Sequence, residues 1–266
     1  MLKTRVITAL VLVAVLLSLL FFAPLQAVTA FFALVAAIGA WEWAGLMGAG
    51  QGGRIAFGLA VLALCGATLA LDSLLPLLWG ASSLFWLLCA PIWLARRWSL
   101  AGQRLLGYGL GAVLLAATWA ALSSLFMHFG PAKLLALMAA IWVADIAAYF
   151  TGRRFGKVKL APQISPGKTR EGAYGAVAGV LLYGLMVFPA SNLWTIHSAA
   201  SAAAMVLFLV VLTVVSIEGD LFESLLKRQA GIKDSSAILP GHGGVLDRID
   251  SLISTLPLMV MTLVLL

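Results

Sequence analysis

An all-α protein that crosses a membrane many times is the fold class this sequence predicts, and three observations predict it. Hydrophobic residues make up 63% of the 266 positions and charged residues only 10%, with a mean hydropathy of +1.08. Soluble domains hold roughly 45–50% apolar and about 25% charged residues, so one water-facing core could not absorb this much apolar surface. Apolar runs near the roughly 20 residues that a spanning helix needs recur along the whole chain. Basic residues fall almost wholly in alternate connections between those runs.

The elements follow in order. Nine spans are expected, at about 6–23, 27–46, 55–71, 74–94, 106–127, 131–150, 171–190, 199–217 and 250–266. The first follows Lys3 and Arg5 and at first resembles a secretory leader. Pro24-Leu25-Gln26 and a second apolar run come next with no small-residue cleavage site, so an uncleaved span is expected. Only Asp72, Ser73 and Pro76 divide the third run from the fourth. Several runs carry Gly or Pro, which packed bundles tolerate. The nine tryptophans fall mostly near span ends, as bilayer interfaces favour. Glu42, between Trp41 and Trp43 at the end of span two, reads as an interfacial anchor.

Charge placement tests that count. Arg54, then Arg96, Arg97 and Arg104, then Arg153 to Arg170, then Lys227 to Arg248 follow even-numbered spans; Lys133 alone breaks the pattern. The positive-inside rule makes the basic side cytoplasmic, with the N-terminus inside and the C-terminus on the opposite side. A net charge of +7 could suggest nucleic acid, but there is no aromatic-basic recognition module, and basic residues flanking spans face anionic headgroups. Cys65 and Cys89 each lie in an apolar run, where buried, inert thiols are expected; no CxxC or Cys/His cluster suggests zinc. His128 and His197 fall in outside loops without metal-ligand spacing.

Two long cytoplasmic segments, about 151–170 and 218–249, hold most of the basic residues. With the adjoining span ends they hold every acidic residue but Glu42 and Asp72. If the eighth helix continues past Gly219, then Asp220, Ser224, Lys227 and Arg228 share one face, while Leu221, Phe222, Leu225 and Leu226 can pack on neighbours or lipid. That stripe suits a metal-bound phosphate ester, or is a solvated juxtamembrane helix. Pro240-Gly241-His242-Gly243-Gly244 makes a side-chain-poor turn whose N–H groups can approach an anion. Asp247 and Asp250 follow one helical turn apart, with Ser251 and Ser254 beside them. Carboxylates at a membrane boundary are costly unless paired or metal-bound, and oxygen-only ligands at a phosphate site favour Mg²⁺. A helix–helix ion-pair network is the alternative.

The run Ser224-x-x-Lys227-Arg228, Lys233-Asp234, Pro240 to Gly244 and Asp247-Arg248-x-Asp250 resembles the signature of the phosphatidate cytidylyltransferase family. Trp142-Val143-Ala144-Asp145-x-x-Ala148-Tyr149-x-x-Gly152-Arg153 and Ser165-Pro166-Gly167-Lys168-Thr169-x-Glu171-Gly172 also resemble it. The likeness covers about residues 140–260. The chain is therefore divided into a scaffold of five spans (1–130) and a catalytic region (131–266).

The resemblance implies a membrane enzyme that joins CTP and phosphatidate into CDP-diacylglycerol and pyrophosphate at the cytoplasmic face, with Mg²⁺. A second cation and a homodimer stay open. Asp220 and Asp247 are the expected metal ligands, Asp250 a third. Lys227, Arg228 and Arg248 are expected on phosphates, and Ser224 on phosphate or metal. Lys168 is expected at the pyrophosphate end. Lys233, His242, Gly243 and Gly244 complete the substrate-binding set; His242 either orients a phosphate or caps the turn. Asp145 and Glu223 are secondary candidates. For Asp145 the other reading is a structural pair with Arg153 or Arg154.

Gly167-Lys168-Thr169 imitates a P-loop, but Pro162 stands where that motif needs glycine, so a P-loop fold is excluded. Two further readings stay in view: a CTP-dependent polyprenol- or phytol-type kinase, and a transporter of an anionic solute. Paired broken helices and internal repeats, which transporters show, are missing. So is the aspartate-rich motif of CDP-alcohol phosphatidyltransferases.

Overall fold

The computed structural model describes residues 2–100 and 102–265. Its helices are α1 (Leu2–Phe22), α2 (Leu25–Leu46), α3 (Gln51–Ala70), α4 (Leu74–Leu84), α5 (Ala90–Arg96), α6 (Arg104–Phe155), α7 (Arg170–Ala190), α8 (Ala199–Gln229) and α9 (Leu246–Val260). A π-helical turn, Phe85–Cys89, joins α4 to α5 into one rod, and a second, Met261–Leu265, extends α9. Eight helical rods among the described residues are long and apolar enough to cross a membrane. Each expected run lies within one of them, to within a residue at the ends described; Leu266, the end of the ninth run, lies outside the described residues. The all-α expectation holds, with one addition: an antiparallel hairpin of β1 (Lys159–Ala161) and β2 (Ser165–Thr169) in the segment between α6 and α7.

The longest rod accounts for two expected spans. A straight 52-residue helix would run about 78 Å, against about 40–45 Å for a bilayer with its headgroups. The α6 helix instead breaks at Gly130 (φ 73, ψ 178), ahead of Pro131, whose ring cannot accept a helical predecessor. Its two ends return to the same side of the bundle. Near the first, the Gly107 carbonyl accepts from the Trp43 indole at 2.9 Å. Near the second, Gly152 packs against Gly172 and Thr169, one residue from the Lys168–Asp220 ion pair at 2.7 Å.

The same end gathers the basic clusters. Arg5 packs on Gly241, Arg54 Nε donates to the Trp41 carbonyl at 3.2 Å, and Gln229 donates to Trp98 at 2.9 Å. Lys133, the exception to the charge pattern, reaches the Asn192 carbonyl in the α7–α8 connection.

Outward faces carry large apolar side chains such as Leu10, Phe22, Leu182 and Met186, all exposed, as a lipid-facing surface requires. Inside, Phe222 on α8 sits in an aromatic cage of Phe85, Trp86 and Trp93, with ring centroids 5.4, 5.5 and 5.7 Å away, and Trp43 stacks at 6.4 Å. The π-turn brings Phe85 and Trp86 into that cage. Leu221, Leu225 and Leu226 are buried with Phe222, so the apolar side of α8 packs on protein, and the polar stripe is turned to face the site. Helices α8 and α9 cross most tightly at Gly219. A Cβ there would lie 2.7 Å from the Asp250 carbonyl and collide with the Ser254 hydroxyl. This close crossing sets Asp220 beside Asp250.

One expectation for the thiols fails. Cys65 is buried, but Cys89 is exposed, because the π-turn rotates it onto the outer face of its rod while it turns Trp86 inward.

Candidate active site

The eighth helix does continue past Gly219, to Gln229, so the expected loop at 218–249 is shorter and begins at about residue 230. Ser224 Oγ donates to Asp220 Oδ1 at 3.3 Å, one turn back along the stripe. Asp220 Oδ2 meets Lys168 Nζ at 2.7 Å. The hairpin delivers that lysine: Thr169 caps α7 by accepting from the Gly172 amide at 3.1 Å, which holds Lys168 one residue outside the helix. Farther along, Arg228 Nε reaches the Ile164 carbonyl at 3.5 Å in the hairpin turn.

Lys227 turns a different way. Its ammonium lies 2.5 Å from Asp247 Oδ1 and 3.2 Å from Glu223 Oε1, with the side chain only 12% exposed. Asp247 Oδ2 accepts from the Ser235 amide (2.9 Å), the Ser235 hydroxyl (2.9 Å) and the Gly244 amide (2.8 Å). Thus Asp247 fastens the glycine turn to α8 as well as presenting a carboxylate. The turn itself is closed by an antiparallel bridge between Leu239 and Gly243, with His242 N donating to Leu239 at 2.9 Å. The His242 Nδ1 is buried without a hydrogen-bond partner.

A second set of carboxylates is short of donors. Both oxygens of Glu223 and Oε2 of Glu218 are buried with no hydrogen-bond partner; the Lys227 contact to Glu223 is a charge contact only. Asp250 takes the Ser251 amide at 2.7 Å. It lies within reach of the charges of Asp220 and Asp145, and within hydrogen-bonding reach of Glu223. Asp250 and Glu223, so close together, are held only by sharing a proton or a cation. Among the described residues, no three of these side chains are already drawn together as a ligand set.

Asp145 does not pair as the sequence suggested. Arg153 instead donates to the Tyr149 hydroxyl at 3.2 Å. The charges around Asp145 are those of Asp220, Lys168 and Arg248. On α6, Arg153 falls two turns beyond Asp145, with its guanidinium held by Tyr149.

Two cavities meet these residues. The first, about 440 Å³, is walled mostly by Ala144, Ala148, Tyr149, Leu160, Ala173 and Ile217, with Asp145, Arg153, Lys168 and Asp220 as its charged part. The second, about 790 Å³, is lined by Arg5, Lys233, Asp234, Ser236, His242, Gly243 and Arg248. The α1 helix closes its rim, where Thr8 donates to the Pro240 carbonyl at 2.9 Å.

Glu42 is the largest correction. It is no interfacial anchor: it is fully buried and accepts from Ser236, Ser235, Val245 and Leu246 of the signature segment. Its only sequence signal is a carboxylate inside an apolar span, which marks a functional candidate by default.

A membrane bundle, helical but for one hairpin, with carboxylates and cations gathered at one end and one greasy and one basic cavity beside them, fits a class: enzymes that act on phosphate esters at a membrane surface. The chain belongs to the cytidylyltransferase family, whose sequence pattern matches residues 3–266. It is 41% identical over 97% of its length, and 95% of the relative's, to a phosphatidate cytidylyltransferase of Pseudomonas aeruginosa. The phosphatidate cytidylyltransferase of Haemophilus influenzae is 44% identical over 49% of this chain and 45% of the relative. That of Thermotoga maritima is 39% identical over 50% of this chain and 49% of the relative.

Proposed function

We propose that this integral membrane enzyme, a nucleotidyltransferase, converts CTP and phosphatidate to CDP-diacylglycerol and pyrophosphate, with its site on the cytoplasmic side. The observation that carries the reading is the pair of unlike cavities flanking one carboxylate group. Phosphatidate needs an apolar wall for its acyl ends and a cation for its phosphate, which Lys168 at the end of the first cavity supplies. A triphosphate needs several cations and few apolar contacts, which Arg5, Lys233 and Arg248 supply in the second.

In the reaction a phosphate oxygen of phosphatidate forms a bond to the α-phosphorus of CTP. The bond from that phosphorus to the bridging oxygen breaks, and pyrophosphate leaves with the electron pair. The lipid phosphate is already ionised, so no protein nucleophile or base is required. What remains is to hold two anions close together and in line, a matter of positioning and charge. Lys168 holds the lipid phosphate within the pull of Asp220, rather than serving the pyrophosphate end. Arg248 and Lys233 hold the triphosphate, with His242 beside them; the His242 and Gly244 amides are already taken by Leu239 and Asp247, so Gly244 shapes the turn rather than binding phosphate. Arg228 braces the hairpin that carries Lys168. Lys227, already between Glu223 and Asp247, fixes the carboxylate geometry.

Asp250, with a single backbone donor, fits a divalent cation. Asp250 and Asp220 would hold it, with Asp145 and Glu223 around them; Asp247 would serve as third ligand only by releasing Lys227 from Oδ1, since its Oδ2 is filled by Ser235 and Gly244. When bound, Mg²⁺ would neutralise phosphate charge and polarise the α-phosphoryl group. The CTP-dependent kinase would transfer the γ-phosphoryl group and leave CDP. Purified protein given CTP, Mg²⁺ and phosphatidate should release pyrophosphate in step with CDP-diacylglycerol, and a chelator should abolish both. Free CDP in place of pyrophosphate would overturn the reading.

A further inference from the structure

The signature segment does not hold its shape unaided; a residue almost two hundred positions away shares in holding it. Glu42 lies in α2, within the scaffold half, and none of the signature motifs includes it. Its carboxylate is fully buried and takes four donors. Oε1 accepts from the Ser236 hydroxyl at 2.5 Å and the Val245 amide at 3.0 Å. Oε2 accepts from the Leu246 amide at 2.6 Å and the Ser235 hydroxyl at 3.2 Å.

Val245 and Leu246 begin α9, and Val245 offers no side-chain cap. The first amides of a helix have no partner within it and favour negative charge. Glu42 therefore serves as the missing cap from another helix, at the end of α9 that carries Asp247 and Arg248. Gly244 is packed so closely that a Cβ there would collide with Ser235 Oγ and Glu42 Oε1. Ser235 has one hydroxyl proton and stands within reach of both Glu42 (3.2 Å) and Asp247 (2.9 Å). The two carboxylates thus share the seating of one serine.

The geometry points to Glu42 as a positioning residue for nucleotide binding. It holds residues 234–246 in the shape that lines the second cavity, and it leaves the Lys168 cavity alone. This rests on the assignment of CTP to the second cavity. A residue that merely glued α2 to α9 would affect folding and both substrates alike.

Glu42→Gln makes the test. The replacement is nearly the same shape, but one end of the amide becomes a donor. Whichever end it is, that donor faces a backbone N–H, of Val245 or of Leu246, which cannot turn away. Hydrogen bonds to charged groups contribute about 1.5–3 kcal/mol, so KM for CTP should rise roughly tenfold or more. KM for phosphatidate should stay within about twofold, since Glu42 touches nothing in that cavity. Hydrogen exchange in detergent should quicken over 234–246 and remain unchanged over 165–172. Ser236→Ala, which removes one of the four donors from a partly buried loop position, should shift KM for CTP the same way by a smaller factor.

Unchanged KM for CTP with unchanged exchange would overturn the inference. So would a loss of turnover matching the loss of folded protein while both KM values hold. Were the wild-type protein to release no pyrophosphate, the proposed reaction would fall, and the exchange pattern would still decide the role of Glu42.

Discussion

The two cavities are built from opposite materials. The Lys168 cavity is framed by regular structure: small side chains of α6 and α7, and a lysine held by a strand that runs straight into a capped helix. The Arg248 cavity is framed by an irregular segment, residues 230–245, with little regular structure beyond one bridge. Its shape is borrowed from Glu42 on α2, Asp247 on α9 and Thr8 on α1. A cavity made of helix faces can accept flexible lipid tails, because its polar demands are met within each helix. A cavity for a polyanion needs free amides and cations pointing inward, and those exist only where regular structure stops.

Substitutions can break that comparison. Asp220→Asn should have the largest effect, because Asp220 pairs with Lys168 and also lies beside Asp250. Turnover should fall on the order of 100-fold or more, measured as pyrophosphate release at saturating substrates. Near-normal turnover would remove Asp220 from the reacting centre.

Lys168→Ala and Arg248→Ala form a crossed pair. The first should raise KM for phosphatidate roughly tenfold and leave KM for CTP nearly fixed; the second should do the reverse. A swapped pattern would exchange the two cavities.

Gly219→Ala addresses what both cavities share. Forcing a Cβ against the Asp250 carbonyl should destabilise the bundle by about 1–3 kcal/mol and lower turnover with either substrate saturating. A thermal-unfolding series in detergent would register it. Thr8→Val, which removes a single exposed hydrogen bond to the Pro240 carbonyl, should change KM for CTP by less than about twofold. A larger change would show that the Thr8 contact, and not Arg5 alone, seats α1 against the second cavity.

Much of the site was legible from residue types and spacing. The stripe Asp220, Ser224 and Arg228 depends on helical period alone, and the helix does continue through it. Phe222 and its apolar neighbours pack on protein, one of the two outcomes that amphipathic spacing allowed. Lys227 departs from the shared role because a carboxylate twenty residues away captures it. Asp145 was visible as a charge in an apolar run, but its partners were not. Neighbours in sequence offered Arg153, while the fold offered Asp220, Lys168 and Arg248. Cys89 and Glu42 were misread for one shared reason: an apolar run reveals depth in the bundle poorly, and which way a side chain turns hardly at all.

Taken alone, the amino-acid order determined that this chain lives among lipids, roughly where its apolar helices lie, and which segments gather the charged residues of the candidate site. Those properties follow from composition, helical period and local motif, all of which act over a few turns of chain. The tertiary structure decided the separation of the two cavities and the capture of the signature segment by Glu42. The Glu42 contacts span 193 to 204 residues. No periodicity encodes such contacts, because a buried carboxylate can be satisfied by any donors the packing brings within 3 Å or so.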